Sequence, residues 1–201
     1  GHRRSGVLSI FPSLDGWPRG FVRGLNKVTR ISAKEWIEFI DGSGISTAVL
    51  YPTAGLSFGL IQDPDWACVV ARMYNNWLAE RYCKVDGRLK GVAMLPVHNP
   101  QEAAGELRRA VTELGMVAGL LPAVTMLNKG YGHRDFHPIY KEAEALDIPL
   151  TVHGAVSRGL GFDFLQTMSM IHTLEHPLAQ MIQLTSVVLD GVFDLFPKLR
   201  I

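Results

Sequence analysis

Four short apolar runs, each ended by a proline or glycine and separated by amphipathic stretches of helical length, constrain this chain more than any other feature. Ile45–Tyr51 (ISTAVLY) stops at Pro52, Lys90–Leu95 (KGVAML) at Pro96, Met116–Leu121 (MVAGLL) at Pro122, and Pro149–His153 (PLTVH) at Gly154. Strands that are continuously apolar belong to parallel sheets covered on the outside by helices. Strand–helix spacing of this kind makes right-handed βαβ units. Leu199-Arg200-Ile201, the last three residues, read as one more strand beginning.

The intervening stretches carry helix signals. Ser32 caps a helix to Ile40, with Glu35 completing a capping box and Gly42 and Gly44 ending it. Asp63 followed by Pro64 starts the helix with the strongest periodicity, in which Trp66, Val69, Val70, Met73 and Trp77 recur at helical spacing to about Tyr82. These residues, with Trp17 and Trp36, are expected to pack. Asn99 caps a helix over Pro100–Leu114 whose inward residues are Ala103, Leu107, Val111 and Leu114. Pro138–Leu146 is a fourth helix. Helical pattern resumes over roughly Phe162–His172 and Leu178–Phe193, with a break expected at Pro177. Met168, Met170 and Met181 read as core filler. The pattern fits either a (β/α)8 barrel or an open doubly wound sheet. No G-x-G-x-x-G turn, G-x-S-x-G elbow or G-x-x-x-x-G-K loop follows any strand, which disfavours a dinucleotide-binding fold.

Composition narrows the function classes. A chain of 201 residues that is 47% hydrophobic, with 20 basic against 19 acidic side chains, is neither disordered nor built around an electrostatic footprint for nucleic acid. No apolar stretch reaches the length of a membrane span, and no secretion leader is read at the N-terminus. Cys68 and Cys83 lie about 22 Å apart if both are on one helix, beyond bridging reach, so reduced thiols and a cytoplasmic location are expected.

In a barrel the C-terminal ends of the strands face the active site. Here those positions hold Tyr51, His98, Pro122 and His153. His153 ends an apolar strand beside Gly154, and neutral imidazole is a common metal ligand; the plainer reading is a rim histidine bonded to a neighbour. His98 lies two residues beyond its strand and reads more simply as a loop residue near a helix cap. His133 and His137 lie in a glycine-rich loop, NKGYGHRDFH, that either covers a substrate or is a solvated connection. His172 and His176 are spaced i, i+4 across HTLEH, which is not H-E-x-x-H. His176 could still face the site.

The runs VLYPTAGLSFGLIQDPDWACVVARMYNNWLAERY, RLKGVAMLPVHNPQEAAGELRRAVTELGM, PIYKEAEALDIPLTVHG and GVFDLFPKLRI resemble the amidohydrolase-related family, in the branch of aminocarboxymuconate-semialdehyde decarboxylase. The resemblance implies an α/β fold of the (β/α)8 TIM-barrel type, represented in part: residues 1–31 as an irregular N-terminal segment and 32–201 as about barrel strands two to six. In that family an acidic or histidine pair on the first strand binds a divalent metal, with a fifth-strand histidine, an aspartate after the eighth strand and a sixth-strand His or Glu. Of these, the fifth-strand ligand maps onto His153. No D-x-H or H-x-H pair precedes Ser32, so the chain reads as incomplete at both ends. The resemblance further implies a divalent ion, expected to be zinc. It implies hydrolysis of a C–N or ester bond, or decarboxylation of a small, often aromatic or unsaturated, carboxylic acid. His98, Arg158 and His176 are candidate substrate-binding residues. The expected partners are a small-molecule substrate and further copies of the chain, with no nucleic acid or membrane. The alternative is a non-catalytic or truncated barrel that binds a ligand or assembles.

Overall fold

The computed structural model describes residues 31–52, 54–154, 160–161 and 168–201. Arg158, Trp17 and residues 1–30 lie outside the described residues. Four strands, β1 (Ala48–Leu50), β2 (Leu89–Met94), β3 (Ala118–Pro122) and β4 (Leu150–His153), form one sheet in the order β1-β2-β3-β4. All three pairings are parallel, with Ala48 beside Leu89, Val92 beside Ala118 and Gly119 beside Leu150. On the far side of β4 the Leu150 N–H donates to the Arg200 carbonyl at 2.9 Å, so the end of the chain lies along the sheet edge. Leu199 enters the main core there.

The helices start where the sequence places caps. α1 (Ala33–Ser43) has Ser32 and Glu35 exchanging the reciprocal bonds of a capping box, and Gly44 ends it at φ +67°. That left-handed backbone suits glycine. Asp63 caps α2 (Pro64–Leu78) by accepting from the N–H groups of Asp65 and Trp66. A π-helical turn, Ala79–Cys83, prolongs it. Asn99 caps α3 (Pro100–Thr112) through the Glu102 N–H. α4 is His137–Ala145, α5 Met168–Leu189 and α6 Val192–Leu195. A 3-10 segment, Ala54–Leu60, lies over the strand ends, where the Met126 N–H donates to the Gly59 carbonyl at 3.1 Å.

The core fills the space between sheet and helices with Ile40, Leu78, Leu89, Leu95, Leu107, Met116, Ile139 and Tyr140, among others. Glycine allows close approach at β3: a Cβ on Gly119 would stand 2.8 Å from Leu95 and 2.9 Å from Leu150 side-chain atoms. A buried polar clasp holds α2 to the sheet. The Asn75 amide donates to the Met94 carbonyl at 3.0 Å and accepts from the Met94 N–H at 2.8 Å, as a neighbouring strand would. The same NH2 group donates to Glu106 Oε1 at 2.7 Å, and Arg109 donates to both oxygens of Glu106.

Three expectations are corrected. Trp66 and Trp77 are 57% and 45% exposed, and Val69 and Met73 face outward with them; the face of α2 toward the core is Ala67, Ala71, Asn75 and Leu78. Small side chains there let α2 approach closely enough for Asn75 to reach the Met94 backbone. Met170 and Met181 are exposed rather than core filler. The helix does not break at Pro177 but runs unbroken through it to Leu189. Pro177 is itself exposed, while Ala179, Gln183 and Val187 anchor the opposite side. An interior proline costs roughly 3 kcal/mol in a helix, and burial of that anchored face offsets it.

Candidate functional site

The rim at the C-terminal ends of the strands gathers aromatic and imidazole rings. The Tyr51 and His153 ring centroids are 5.6 Å apart, although Tyr51 follows β1 and His153 ends β4, the two outermost strands of the four-stranded sheet. In a flat sheet, three inter-strand steps would separate these strands by about 14 Å. The meeting of the two rings is what a sheet curled around a common interior produces. His176, from α5, meets His153 edge to face at 5.7 Å. Gly154 makes room for it, since a Cβ there would stand 2.7 Å from the His176 ring. Tyr51, His153 and His176 therefore converge from three parts of the chain.

The hydrogen bonding of His153 fixes its chemistry. Its Nδ1 lies 2.7 Å from the Gly154 carbonyl oxygen. A carbonyl can accept and cannot donate, so Nδ1 donates this bond; in a neutral imidazole that leaves the lone pair on Nε2. This is the tautomer of a metal-ligating imidazole oriented by a backbone carbonyl. Among the described residues no three His, Cys, Asp or Glu side chains converge as a full ligand set. His153 thus fits as one ligand, and a catalytic site of this kind takes about three from protein.

His98 occupies a different nook. Its ring meets Phe58 edge to face at 5.4 Å. Both ring nitrogens are buried without a well-formed hydrogen bond. Burial pulls the imidazole below its ordinary pKa, and the nearby carbonyls of Gly59 and Ile61 oppose this more weakly. His98 is neutral at physiological pH by this reasoning. His133 is exposed and caps the 3-10 turn Arg134–Phe136, accepting from the Asp135 N–H, while the His137 ring packs on Phe196. Neither joins the His153 group.

The loop between β3 and α4 is tied to α5. Buried Gln183 accepts from the Tyr131 N–H at 2.9 Å and donates to the Ala123 carbonyl at 3.0 Å. Gly132 donates to Ser186. The helix that carries His176 is thereby fixed to the rim. Gln183 and Asn75 escape sequence reading because a lone amide on an amphipathic helix looks like any solvated residue. Tyr51 was legible only as a residue at a strand end.

Comparison with known proteins agrees with this geometry. A family model described as amidohydrolase matches residues 33–201. A gamma-resorcylate decarboxylase from Polaromonas sp. (strain JS666) is 34% identical over 122 residues, 58% of this chain and 37% of that protein. A 2-amino-3-carboxymuconate-6-semialdehyde decarboxylase from Dictyostelium discoideum is 24% identical over 149 residues, 74% of this chain and 41% of that protein. The solved dihydroxybenzoic acid decarboxylase from Polaromonas sp. JS666 has bound manganese and the inhibitor 2-nitroresorcinol. It superposes with a TM-score of 0.74 at 26% identity, over 90% of this chain and 57% of that one. The chain spans less than half the length of these curated relatives. With the curled parallel sheet, these likenesses decide for a partial (β/α)8 barrel over an open doubly wound sheet.

Proposed function

The chain belongs to the amidohydrolase family, and from that premise we propose that the protein is a divalent-metal-dependent carboxy-lyase. Its substrate is a small aromatic or unsaturated carboxylic acid, and decarboxylation is favoured over hydrolysis because the relatives it resembles are named as decarboxylases. One observation carries the reading: the Gly154 carbonyl holds the Nδ1 proton of His153, which leaves Nε2 as an electron-pair donor beside Tyr51 and His176.

In this reading His153 Nε2 is one of the metal's ligands. When bound, the ion supplies a positive charge that polarises a substrate oxygen. The chain's own groups do the rest. Tyr51 offers an aromatic wall against which a planar acid stacks. His176, seated on Gly154, contributes a polar edge for the carboxylate or a ring hydroxyl. His98, which lies apart from this cluster against Phe58, and Arg158 are the further substrate-binding candidates. Zinc is the ion expected from the sequence, whereas the Polaromonas relative carries manganese; imidazole suits several divalent ions, and metal analysis of the purified protein separates the two. We further read the protein as cytoplasmic and self-associating, without nucleic acid or membrane as partner. Cys68 and Cys83 are unbonded, and no described helix is long and apolar enough to cross a membrane.

The test is His153→Ala in the full-length protein, with 2,6-dihydroxybenzoate as probe acid. Metal content should drop and CO2 release should fall by more than about 100-fold, beyond what loss of a supporting partner alone costs. Unchanged metal stoichiometry with unchanged turnover would refute the assignment.

A further inference from the structure

β3 ends on a proline, which leaves its last rung without the usual donor. Pro122 lies beside His153 in the register of β3 and β4 and has no N–H. The next residue supplies the bond: the Ala123 N–H donates to the His153 carbonyl at 2.9 Å. The Pro122 carbonyl belongs to the same peptide plane as that N–H, and it accepts from the Tyr131 hydroxyl at 2.7 Å. Gln183 holds the two residues that set this plane. Its Nε2 donates to the Ala123 carbonyl at 3.0 Å, and its Oε1 accepts from the Tyr131 N–H at 2.9 Å. Gln183 is 7% exposed, so its amide closes a buried circuit of bonds around the peptide that meets His153. α5 grips the rim at a second point. His176 stands seven residues before Gln183, which puts both on nearly the same face of the helix, about 10.5 Å apart along it. The His176 ring sits against Gly154, and Ala179, buried between the two, packs with Ala123 and Val124.

We propose that Gln183 is a positioning residue for the metal site: through Ala123 and Tyr131 it fixes the backbone from which His153 projects, and through α5 it fixes the His176 ring beside that imidazole. The proposal rests on the reading of His153 as a metal ligand. A ligating side chain must be held within about 0.5 Å of its working position, and removing a group that orients a ligand commonly weakens metal binding by about 10- to 100-fold. The imidazole of His153 is oriented by the Gly154 carbonyl at 2.7 Å. That bond is only as well placed as the His153–Gly154 backbone, which the Ala123 N–H pins on the β3 side. The chemistry of the side chain suits the task. One planar group has to donate at one end and accept at the other; a carboxylate lacks the donor and an apolar side chain lacks both. Asn75 holds the end of β2 by the same pairing of donor and acceptor at Met94. Ser186, three residues beyond Gln183, gives the contrast. It ties Gly132 of the same loop to α5 at 2.9 Å, and its hydroxyl donates to Asp190 rather than toward Ala123.

The test is Mn2+ binding to the full-length protein stripped of metal, followed by electron paramagnetic resonance, which reads affinity and ligand symmetry rather than turnover. Gln183→Met should weaken Mn2+ binding by about 10-fold or more and alter the spectrum of the bound ion. Ser186→Ala loosens the same loop and helix, so it measures what a purely structural anchor contributes; it should bind Mn2+ with native affinity and a native spectrum. Urea midpoints taken beside each titration establish that the variants are folded. Gln183→Asn keeps an amide but withdraws it from Ala123 and Tyr131 by one methylene. It should weaken binding in the same direction, and it supplies the readout if Gln183→Met does not fold. Native affinity and a native spectrum in a folded Gln183 variant overturn the proposal. So does an equal loss in Ser186→Ala, since Gln183 would then be an anchor like any other. His153→Ala separates these failures from that of the reading beneath them. If His153→Ala binds Mn2+ as the native protein does, the metal assignment fails and Gln183 has no site to position. If His153→Ala loses the ion while the Gln183 variants keep it, the Gln183 proposal alone fails.

Discussion

α2 and α3 are neighbouring helices with proline at the first position and a polar cap, yet they use their apolar residues in opposite senses. In α3, Ala103, Leu107 and Ala110 face the core and are fully buried. In α2 the large apolar residues face out, and the inner face is mostly Ala67, Ala71 and the buried amide of Asn75. The difference traces to β2. The β1 pairing reaches Gly91 of β2 and goes no further, so toward that side the Met94 backbone needs another partner. Asn75 supplies it, and two alanines allow the helix close enough to do so. α3 has no such task and packs in the ordinary way. A helix face is therefore chosen by what the sheet requires, and the largest side chains do not always win.

The strongest way to break this contrast is Asn75→Leu. It leaves the Met94 N–H and carbonyl without their buried partner, while Glu106 keeps its bonds from Arg109. At roughly 1–3 kcal/mol for each orphaned group, the expected loss is about 4 kcal/mol. Urea unfolding of the full-length protein measures it; a loss below about 1 kcal/mol would mean the clasp does not hold α2. Ala71→Leu is the next largest. It thickens the inner face, forces α2 off the sheet and should cost about 1–3 kcal/mol. The same kind of enlargement on the outer side, Val69→Leu, should stay within about 0.5 kcal/mol. Equal effects at the two positions would erase the inside–outside distinction.

Much of the scaffold was readable along the chain. The four strands fall within a few residues of their expected ends, and Ser32, Asp63 and Asn99 cap as their spacing implies. These are local signals, written in consecutive residues. The packing face of α2 was not readable, because both of its sides are apolar and periodicity alone cannot rank them. The passage of α5 through Pro177 depends on tertiary anchoring by Ala179, Gln183 and Val187, which no local propensity records. At the rim, the place of His153 at the end of an apolar strand was legible. Its convergence with Tyr51 and His176 was not, because it depends on how far the sheet curls and where α5 returns. Both are sums over many residues distant in sequence.

The smallest expected effect lies where the two helices meet. His98 immediately precedes Asn99, the cap of α3, and packs by the carbonyls of Gly59 and Ile61, just before Asp63, the cap of α2. A charge on His98 would be desolvated there and would also face two helix N-termini, whose partial positive charge repels a cation. Burial accordingly holds its folded pKa below that of an ordinary histidine. The unfolded chain then binds a proton at a pH where the folded chain does not, so stability rises with pH in that window. His98 should leave stability intact above about pH 6.5 and draw it down as the pH falls below that value, until the folded form also protonates. The ring is partly exposed, so the slope is shallow. His98→Gln, which cannot titrate, should flatten it. Urea midpoints of the native protein and the variant between pH 7.5 and pH 5 read the difference directly. Parallel curves across that range would show that His98 titrates alike in both states and that the α2–α3 junction does not sense pH through it.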